Sequence, residues 1–178
     1  TLELLTRRPT DVLGVVAHPK GAENQGIKKI EKICQERGIP FEFQEKSFHR
    51  MGARENDYAV GVFQKTETGL DASANHVILV NPGGMGNLGT IIRSMLGFGF
   101  RDLAIIEPAA DIFHPDVIRA SMGALFQLRH TRFVNFEHYR ESFPRNLYPL
   151  MTDGVVPLSQ AKLVSAFGLV FGPENAGL

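Results

Sequence analysis

The stretch that most constrains the fold is His76–Phe100, with the sequence HVILVNPGGMGNLGTIIRSMLGFGF. Its first part, Val77–Val80, is a short run of mostly branched apolar residues, which predicts a buried strand of a parallel sheet and is too short to span a membrane. A glycine-rich turn follows. From about Leu88 the apolar residues recur at helical spacing, which predicts a helix with the core stripe Leu88, Ile91, Ile92 and Met95. A strand, a glycine turn and a helix in this order are typical of an α/β fold that binds its ligand at the carboxyl edge of the sheet.

The glycine turn contains the pattern G-x-G-x-x-G in Gly84, Gly86 and Gly89, and the acidic Glu107 ends the next apolar run. This is the fingerprint of dinucleotide-binding proteins, but the pattern alone is weak evidence. Glycines at 83, 84, 86 and 89 are expected to leave backbone exposed, where a large ligand could approach closely. Arg93 follows Gly89 by one helical turn, so we expect a cation beside this turn.

A second interpretation of the same stretch uses more residues. The pattern N-x-G-x-x-x-R in Asn87, Gly89 and Arg93, with F-G-F after the helix, resembles the first motif of the SpoU/TrmH family of RNA ribose 2′-O-methyltransferases. That motif usually opens with Asp-Pro and an Asn two positions further on, whereas this chain has NPGG at 81–84.

Two later segments extend the resemblance. HPDVIRASMGALFQL at 114–128 resembles the family pattern P-x-V-x-R-A-S-x-G-A-x-F, and LVFGPENAGL at 169–178 resembles the second motif, G-x-E-x-x-G-L. The three matches occur in family order and cover most of residues 76–178. The third family motif, an S-L-N segment, does not occur, so either this sequence belongs to a longer chain, which we expect, or the protein is inactive.

Residues 1–70 predict a small α/β domain. Its expected elements are a strand at Val12–Ala17, a helix at Gly21–Gly38, and strands at Phe41–Phe43 and Tyr58–Phe63. The polar segment 65–75 is interpreted as a linker. In position and pattern the domain resembles the substrate-binding domain of many family members, which implies that it binds RNA. Its basic residues alternate with glutamates, so a merely solvated surface is an equal alternative.

Residues 71–178 alternate between strands and helices, which predicts a parallel sheet. The expected strands after the first are Leu103–Glu107, Ala124–Leu128, Leu147–Met151 and Ala166–Phe171, with helices from Pro115 to about Met122 and at Phe136–Phe143. The resemblance implies that this segment is the methyltransferase domain, of the trefoil-knot type called SPOUT, and that it works as a homodimer.

The resemblance places the catalytic residues at Arg93, Asn87 and Glu174, with Arg93 acting on the ribose 2′-hydroxyl. A guanidinium has a pKa above about 12 and does not readily lose its proton. We therefore predict that Arg93 chiefly holds phosphate and ribose, and its action as a base is a second hypothesis. Asn87 either orients the substrate or stabilises its own turn. Glu174 either holds Arg93 or a backbone amide, or is a solvated loop carboxylate.

The cofactor implied by the resemblance is S-adenosylmethionine, held largely by backbone groups in two loops. These predicted cofactor contacts are Thr152, Asp153, Gly154, Phe171 and Gly172. Predicted RNA contacts are Arg93, Arg119 and Arg129, although the last two could equally pair with local acids. The histidines at 114, 130 and 138 lack metal-ligand spacing, so no metal site is expected.

The overall composition restricts the partners. Lysines and arginines balance acidic residues at 19 each, so strong nonspecific affinity for nucleic acid is not expected. The single cysteine, Cys34, excludes an internal disulfide and sits on an apolar helix face as an inert thiol. No signal peptide and no membrane-spanning run is present in this sequence, so we expect a cytoplasmic protein without a membrane partner.

Together these patterns predict methylation of a ribose 2′-hydroxyl in tRNA or rRNA from S-adenosylmethionine. One alternative is an NAD(P)-dependent oxidoreductase, which would rest on the glycine fingerprint but leaves the two later matches unexplained. The other is a non-catalytic RNA-binding relative.

Overall fold

The computed structural model describes residues 1–51 and 56–173, without the side chain of His49. The chain divides into two compact units, Thr1–Thr66 and Glu67–Leu178, and the second is described as far as Pro173. The functional roles that the sequence suggests for the two segments stay predictions.

The first unit is a three-stranded sheet with helices. Strand β1 (Val12–Ala17) lies in the middle, β2 (Phe41–Phe43) pairs parallel to it and β3 (Ala59–Phe63) antiparallel to it. The helices are α1 (Leu2–Arg7), α2 (Gln25–Arg37) and α3 (Glu45–Arg50). The predicted central helix is confirmed, although it begins at Gln25, where the Asn24 side chain accepts a hydrogen bond from the Gly26 amide at 2.7 Å. It ends at Gly38, whose φ of 64° is the left-handed conformation that favours glycine.

The second unit contains a five-stranded parallel sheet. Its strands are β4 (His76–Val80), β5 (Asp102–Ile106), β6 (Arg129–Phe133), β7 (Asn146–Pro149) and β8 (Phe167–Phe171). They lie in the order β6-β5-β4-β8-β7 with every pairing parallel. The helices are α4 (Met85–Gly97), α5 (Pro115–Ala120) and α6 (Phe136–Ser142). The predicted parallel α/β fold is therefore confirmed.

Two apolar cores cover the two faces of this sheet. Because side chains alternate along a strand, Val77 and Leu79 of β4 face one core and Ile78 faces the other. The first core contains Leu88, Ile92 and Met95 of α4 together with Val117 of α5. The second core is formed against Tyr139 of α6, which is fully buried. Of the predicted core stripe of α4, Leu88, Ile92 and Met95 are confirmed as buried, and Ile91 is partly buried against this core.

The strand order creates one reversal in the sheet. From β4 the chain builds outward to β5 and β6, and then it crosses to the other side, where β8 lies between β4 and β7. In order of sequence the unit's strands lie as 3-2-1-5-4, whereas the dinucleotide-binding fold has the order 3-2-1-4-5. Where neighbouring crossovers diverge, the carboxyl ends of the adjacent strands leave a crevice. Here that crevice lies between β4 and β8.

Two sequence predictions about this unit are wrong. Residues Ala124–Gln127 form a 3₁₀ turn rather than a strand, and the strand begins afterwards at Arg129. A short apolar run does not distinguish a buried strand from a buried helical turn, and Leu125 lies in the core beside α4. Helix α4 begins at Met85, not near Leu88, because the apolar stripe detects only the buried part of a helix. The other strand and helix boundaries of this unit agree with the prediction to within two residues.

Candidate functional site

A cavity of about 350 Å³ occupies the crevice between β4 and β8. Its walls are the carboxyl ends of the two strands, the glycine turn and the first turns of α4. The lining residues are Leu79, Val80, Pro82, Gly83, Gly84, Asn87, Leu88, Thr90, Ile91, Phe171, Gly172 and Pro173. Asn87 and Gly172, which belong to the first and last segments of the family resemblance and lie 85 positions apart in sequence, therefore line one cavity at the same edge of the sheet.

The glycine turn leaves backbone open at the mouth of the cavity. Asn81 ends β4 in the left-handed conformation, with a φ of 52°, and its amide donates to the Ile106 carbonyl at 3.0 Å. Gly83 and Gly84 are exposed, and a Cβ added to Gly83 would meet no atom within 4 Å. A ligand can thus approach these two peptide groups closely, as the sequence predicts.

Gly89 serves a different purpose. It is buried, and an added Cβ would lie 2.5 Å from the Ala120 Cβ and 2.6 Å from the Val117 carbonyl oxygen. The missing side chain lets α4 pack directly on α5, so the prediction that Gly89 exposes backbone to a ligand is wrong. Gly86 lies inside α4 and is exposed.

The three predicted catalytic residues have different outcomes. Asn87 lines the cavity. Arg93 is exposed on α4 and is absent from the described walls of the cavity. It follows Asn87 by six positions, which places it about 9 Å further along the helix and about 120° around it. Glu174 lies outside the described residues, so its predicted proximity to Arg93 stays a prediction.

The predicted cofactor contacts lie in two loops at the carboxyl edge of the sheet. Phe171 and Gly172 line the cavity. Residues Thr152, Asp153 and Gly154 belong to an exposed loop after β7 and are absent from the described cavity walls. This loop starts at the same edge, because the Leu150 amide donates to the Val170 carbonyl of β8 at 2.9 Å.

The predicted RNA contact Arg129 is tied to a buried acid. Its Nε and Nη2 donate to the two carboxylate oxygens of Asp102 at 2.7 and 2.6 Å, and the Asp102 side chain is 1% exposed. The hydrogen bond to Asp102 raises the pKa of Arg129. Both residues open their strands, so the pair lies at the amino edge of the sheet, opposite the cavity.

Arg119 also contacts a local acid. Its Nη1 donates to Asp116 at 3.1 Å, and both side chains are partly exposed. The alternative that Arg119 and Arg129 pair with neighbouring acids is therefore observed for both, and their predicted contacts with RNA stay predictions.

Glu107 does not occupy the place of a ribose-binding acid. Its Oε2 accepts a hydrogen bond from the Ala109 amide at 2.8 Å, and its Oε1 forms a tight ion pair with Arg132. Together with the strand order and the packing role of Gly89, this arrangement argues against the oxidoreductase alternative.

Two cavity residues were missed at the level of sequence. Thr90 and Ile91 follow Asn87 by three and four residues, so they share its helix flank and line the same cavity. That spacing is a sequence signal for both residues, whereas the apolar stripe by itself predicts Ile91 in the core. The Thr90 hydroxyl donates to the Gly86 carbonyl at 2.9 Å.

The described residues contain no cluster of three or more histidines, cysteines, aspartates or glutamates that could hold a metal ion. Within residues 1–51 and 56–173, no helix combines the length and apolar character that crossing a membrane requires.

The fold and the site define a class of protein: an α/β protein with a ligand crevice between two parallel strands. Residues 74–178 match the model of the SpoU rRNA Methylase family, which is more than half of the chain, and the chain belongs to this family.

Several named proteins are similar to part of this chain. One is ribosomal RNA small subunit methyltransferase G 2 of Syntrophobacter fumaroxidans, 33% identical over 92 residues that cover 52% of this chain and 18% of the relative. Another is the 23S rRNA (uridine(2479)-2′-O)-methyltransferase of Streptomyces viridochromogenes, 40% identical over 52 residues that cover 29% of this chain and 18% of the relative. The chain thus spans about a fifth of the length of these relatives.

Solved structures show the same fold. An rRNA methyltransferase from Sinorhizobium meliloti superposes with a TM-score of 0.79 at 22% identity, covering 100% of this chain and 71% of that one. The SpoU methyltransferase AviRb from Streptomyces viridochromogenes, in complex with the cofactor AdoMet, superposes with a TM-score of 0.77 at 21% identity, covering 94% of this chain and 67% of that one.

Proposed function

We propose that this chain transfers a methyl group from S-adenosylmethionine to a ribose 2′-hydroxyl of rRNA or tRNA. The observation that carries the proposal is the cavity where Asn87 of the first motif meets Phe171 and Gly172 of the second. Family membership supports RNA methylation. The 2′-oxygen as acceptor is supported by the streptomycete relative, whose name states that position.

The cavity fits the proposed cofactor in size and chemistry. Its volume of about 350 Å³ lies within the range of small-molecule sites. Most of its walls are apolar, and the open peptide groups of Gly83 and Gly84 can hydrogen-bond the edges of a purine. In this proposal Phe171 and Gly172 hold the cofactor, and the loop of Thr152, Asp153 and Gly154 closes over it. S-adenosylmethionine supplies an electrophilic methyl group on a sulfonium.

Arg93 is proposed to hold the RNA. An exposed guanidinium can bind phosphate and ribose oxygens through several donors at once. Because a guanidinium does not readily lose its proton, positioning the 2′-hydroxyl in line with the methyl group is its main role here. Asn87 is proposed to orient the hydroxyl, and removal of the hydroxyl proton by Arg93 remains the second hypothesis.

The separation of Arg93 from the cavity favours an active homodimer. In one chain the two lie on different flanks of α4. A second copy could present its exposed Arg93 to the cavity of the first, which would bring the RNA and the methyl donor together. Glu174, outside the described residues, keeps its proposed place near the arginine, and the first unit keeps its proposed role in RNA binding.

Replacing Arg93 tests the proposal. In the full-length protein, Arg93→Ala should reduce kcat/KM for methyl transfer to unmodified rRNA or tRNA transcripts at least 100-fold, while the Kd for S-adenosylmethionine changes less than twofold. Arg140→Ala is the matched control, because it removes an exposed arginine of α6 on the other face of the sheet. The product should resist alkaline hydrolysis at the methylated nucleotide, since a 2′-O-methyl group cannot attack the adjacent phosphate.

Three results would contradict the proposal. Full activity of Arg93→Ala would remove the arginine from the reaction. Calorimetric binding of NAD without binding of S-adenosylmethionine would favour the oxidoreductase alternative. RNA binding by the wild-type protein without any methyl transfer would favour the non-catalytic relative.

A further inference from the structure

Met122 has an unusual backbone conformation. Six described residues have a positive φ: glycines 38, 69, 99 and 123, Asn81, and Met122 with a φ of 53°. This region is unfavourable for residues with a Cβ, and only glycine and, to a lesser degree, asparagine or aspartate enter it readily. The residue is also 69% exposed. Neither burial nor backbone preference therefore explains a methionine at this position.

The end of helix α5 requires a left-handed backbone at position 122, but it does not require a methionine side chain there. The Ser121 amide donates to the Val117 carbonyl at 2.9 Å, and the Met122 amide donates to the Arg119 carbonyl at 3.0 Å. Helices very commonly end with a left-handed residue just after the last turn, and that residue is usually glycine. Here methionine takes this place and Gly123 follows it, with a φ of 85°. A glycine at 122 would satisfy the fold better.

Met122 directly follows the part of α5 that packs against α4. Gly89 contacts the end of α5, with its added Cβ 2.5 Å from the Ala120 Cβ and 3.1 Å from the Ser121 amide. Arg93 lies one helical turn beyond Gly89 on the same flank. After Ser121 the chain passes through Met122 to the 3₁₀ turn Ala124–Gln127, which also packs on α4.

Two positions near the start of α4 present little side chain to solvent. Gly86 has no side chain, and a Cβ added there would meet nothing within 4 Å. The Thr90 hydroxyl is turned back onto the Gly86 carbonyl at 2.9 Å. Met122 and Arg93 are both exposed, and α4 carries little free side chain at Gly86 and Thr90 between its start and Arg93.

We propose that Met122 is an RNA-contacting specificity residue, whose thioether packs on the face of a base at or next to the target nucleotide while Arg93 holds the phosphate. This inference rests on the proposed function. RNA bases that are splayed out for recognition pack on protein side chains, and a flexible, polarisable thioether makes favourable contacts with an aromatic ring. The residue would therefore govern the KM for RNA rather than the chemical step.

The test compares three variants of the full-length protein in methyl transfer to unmodified rRNA and tRNA transcripts. Met122→Gly should raise the KM for RNA about tenfold, the value of one base contact, with kcat within about twofold. Glycine adopts the left-handed conformation without the strain that a Cβ causes, so the Tm of Met122→Gly should rise by about 2–4 °C. Met122→Leu keeps an apolar side chain and should keep the KM within about threefold. The control variant is Val134→Ala, at a residue 72% exposed, and it should change neither the KM for RNA nor the Tm.

An unchanged KM for Met122→Gly, with the wild-type protein active, overturns this inference alone. A weaker self-association of Met122→Gly in sedimentation, at unchanged KM, also overturns it and makes Met122 a subunit contact. A fall in Tm for this variant would show that the side chain packs within the chain, again against the inference. Absence of methyl transfer by the wild-type protein would remove the proposed function and this inference together.

Discussion

The packing of α4 on α5 can be tested by adding one methyl group at Gly89. In Gly89→Ala the new Cβ would lie 2.5 Å from the Ala120 Cβ and 2.6 Å from the Val117 carbonyl oxygen. Both contacts are far shorter than van der Waals separation, and one partner is backbone, so the two helices must move apart by about 1 Å. Overpacking of this kind costs about 1–3 kcal/mol, and the backbone contact places the cost near the upper end.

Helix propensity partly offsets the clash, because alanine is favoured over glycine by about 1 kcal/mol inside a helix. The expected net loss for Gly89→Ala is therefore about 2 kcal/mol, which corresponds to a fall in Tm of about 4–8 °C for a chain of this size. Thermal unfolding followed by circular dichroism at 222 nm measures this change. Urea unfolding of the same samples gives the free energy directly.

Gly86 supplies the matched control in the same helix. An added Cβ there meets nothing within 4 Å, so Gly86→Ala should raise stability by about 0.5 kcal/mol. The double variant Gly89→Ala/Ala120→Gly removes the contact at 2.5 Å but keeps the one at 2.6 Å, so it should recover only part of the loss. If Gly89→Ala melted at or above the wild-type temperature, the close packing of α4 on α5 would be refuted.

The remaining predictions concern two buried polar groups. Asp102→Asn should cost about 2 kcal/mol in urea unfolding, because it removes the charge that pairs with Arg129 from a side chain 1% exposed; a loss below about 0.5 kcal/mol would contradict this. Burial, and then the charge of Arg145, lower the pKa of His76, although Asp71 and Asp102 act in the opposite sense. Its Nε2 donates to the Asp71 carbonyl at 2.9 Å, and its Nδ1 lies 3.0 Å from the Tyr139 hydroxyl, which donates to it when the ring is neutral. The unfolded chain then binds this proton more readily, so stability should be full above pH 6.5 and fall as the pH drops below it. His76→Gln should make the Tm less dependent on pH below pH 6.5, and an unchanged slope would assign the acid sensitivity to other groups.

Much of the fold could be predicted from local sequence patterns. The branched run of β4, the apolar stripe of α4 and Gly38 after α2 each depend on residues close in sequence, so their structures could be predicted from spacing alone. The wrong strand at Ala124–Leu128 shows where this approach fails. An apolar run of five residues is compatible with either a strand or a helical turn, and packing against α4 decided between them.

The candidate site was predicted in part for the same reason. Asn87 and the Phe171–Gly172 pair could be found because they belong to short recognisable motifs, and the structure brings them to one cavity. The pairing of Arg129 with Asp102 could not be found, because it joins the first residues of two adjacent strands 27 positions apart. The position of Arg93 outside the cavity depends on the start and rotation of α4, which motif spacing does not specify.

By itself, the sequence determined the class of fold, the elements around the glycine turn and the family resemblance, because periodicity and motifs are local properties of the chain. Only the tertiary structure decided that β8 lies between β4 and β7, and hence that the crevice opens beside the glycine turn. It also decided that Gly89 serves helix packing while Gly83 and Gly84 face the cavity. These outcomes depend on contacts between residues distant in sequence, whose partners are defined only when the sheet has assembled.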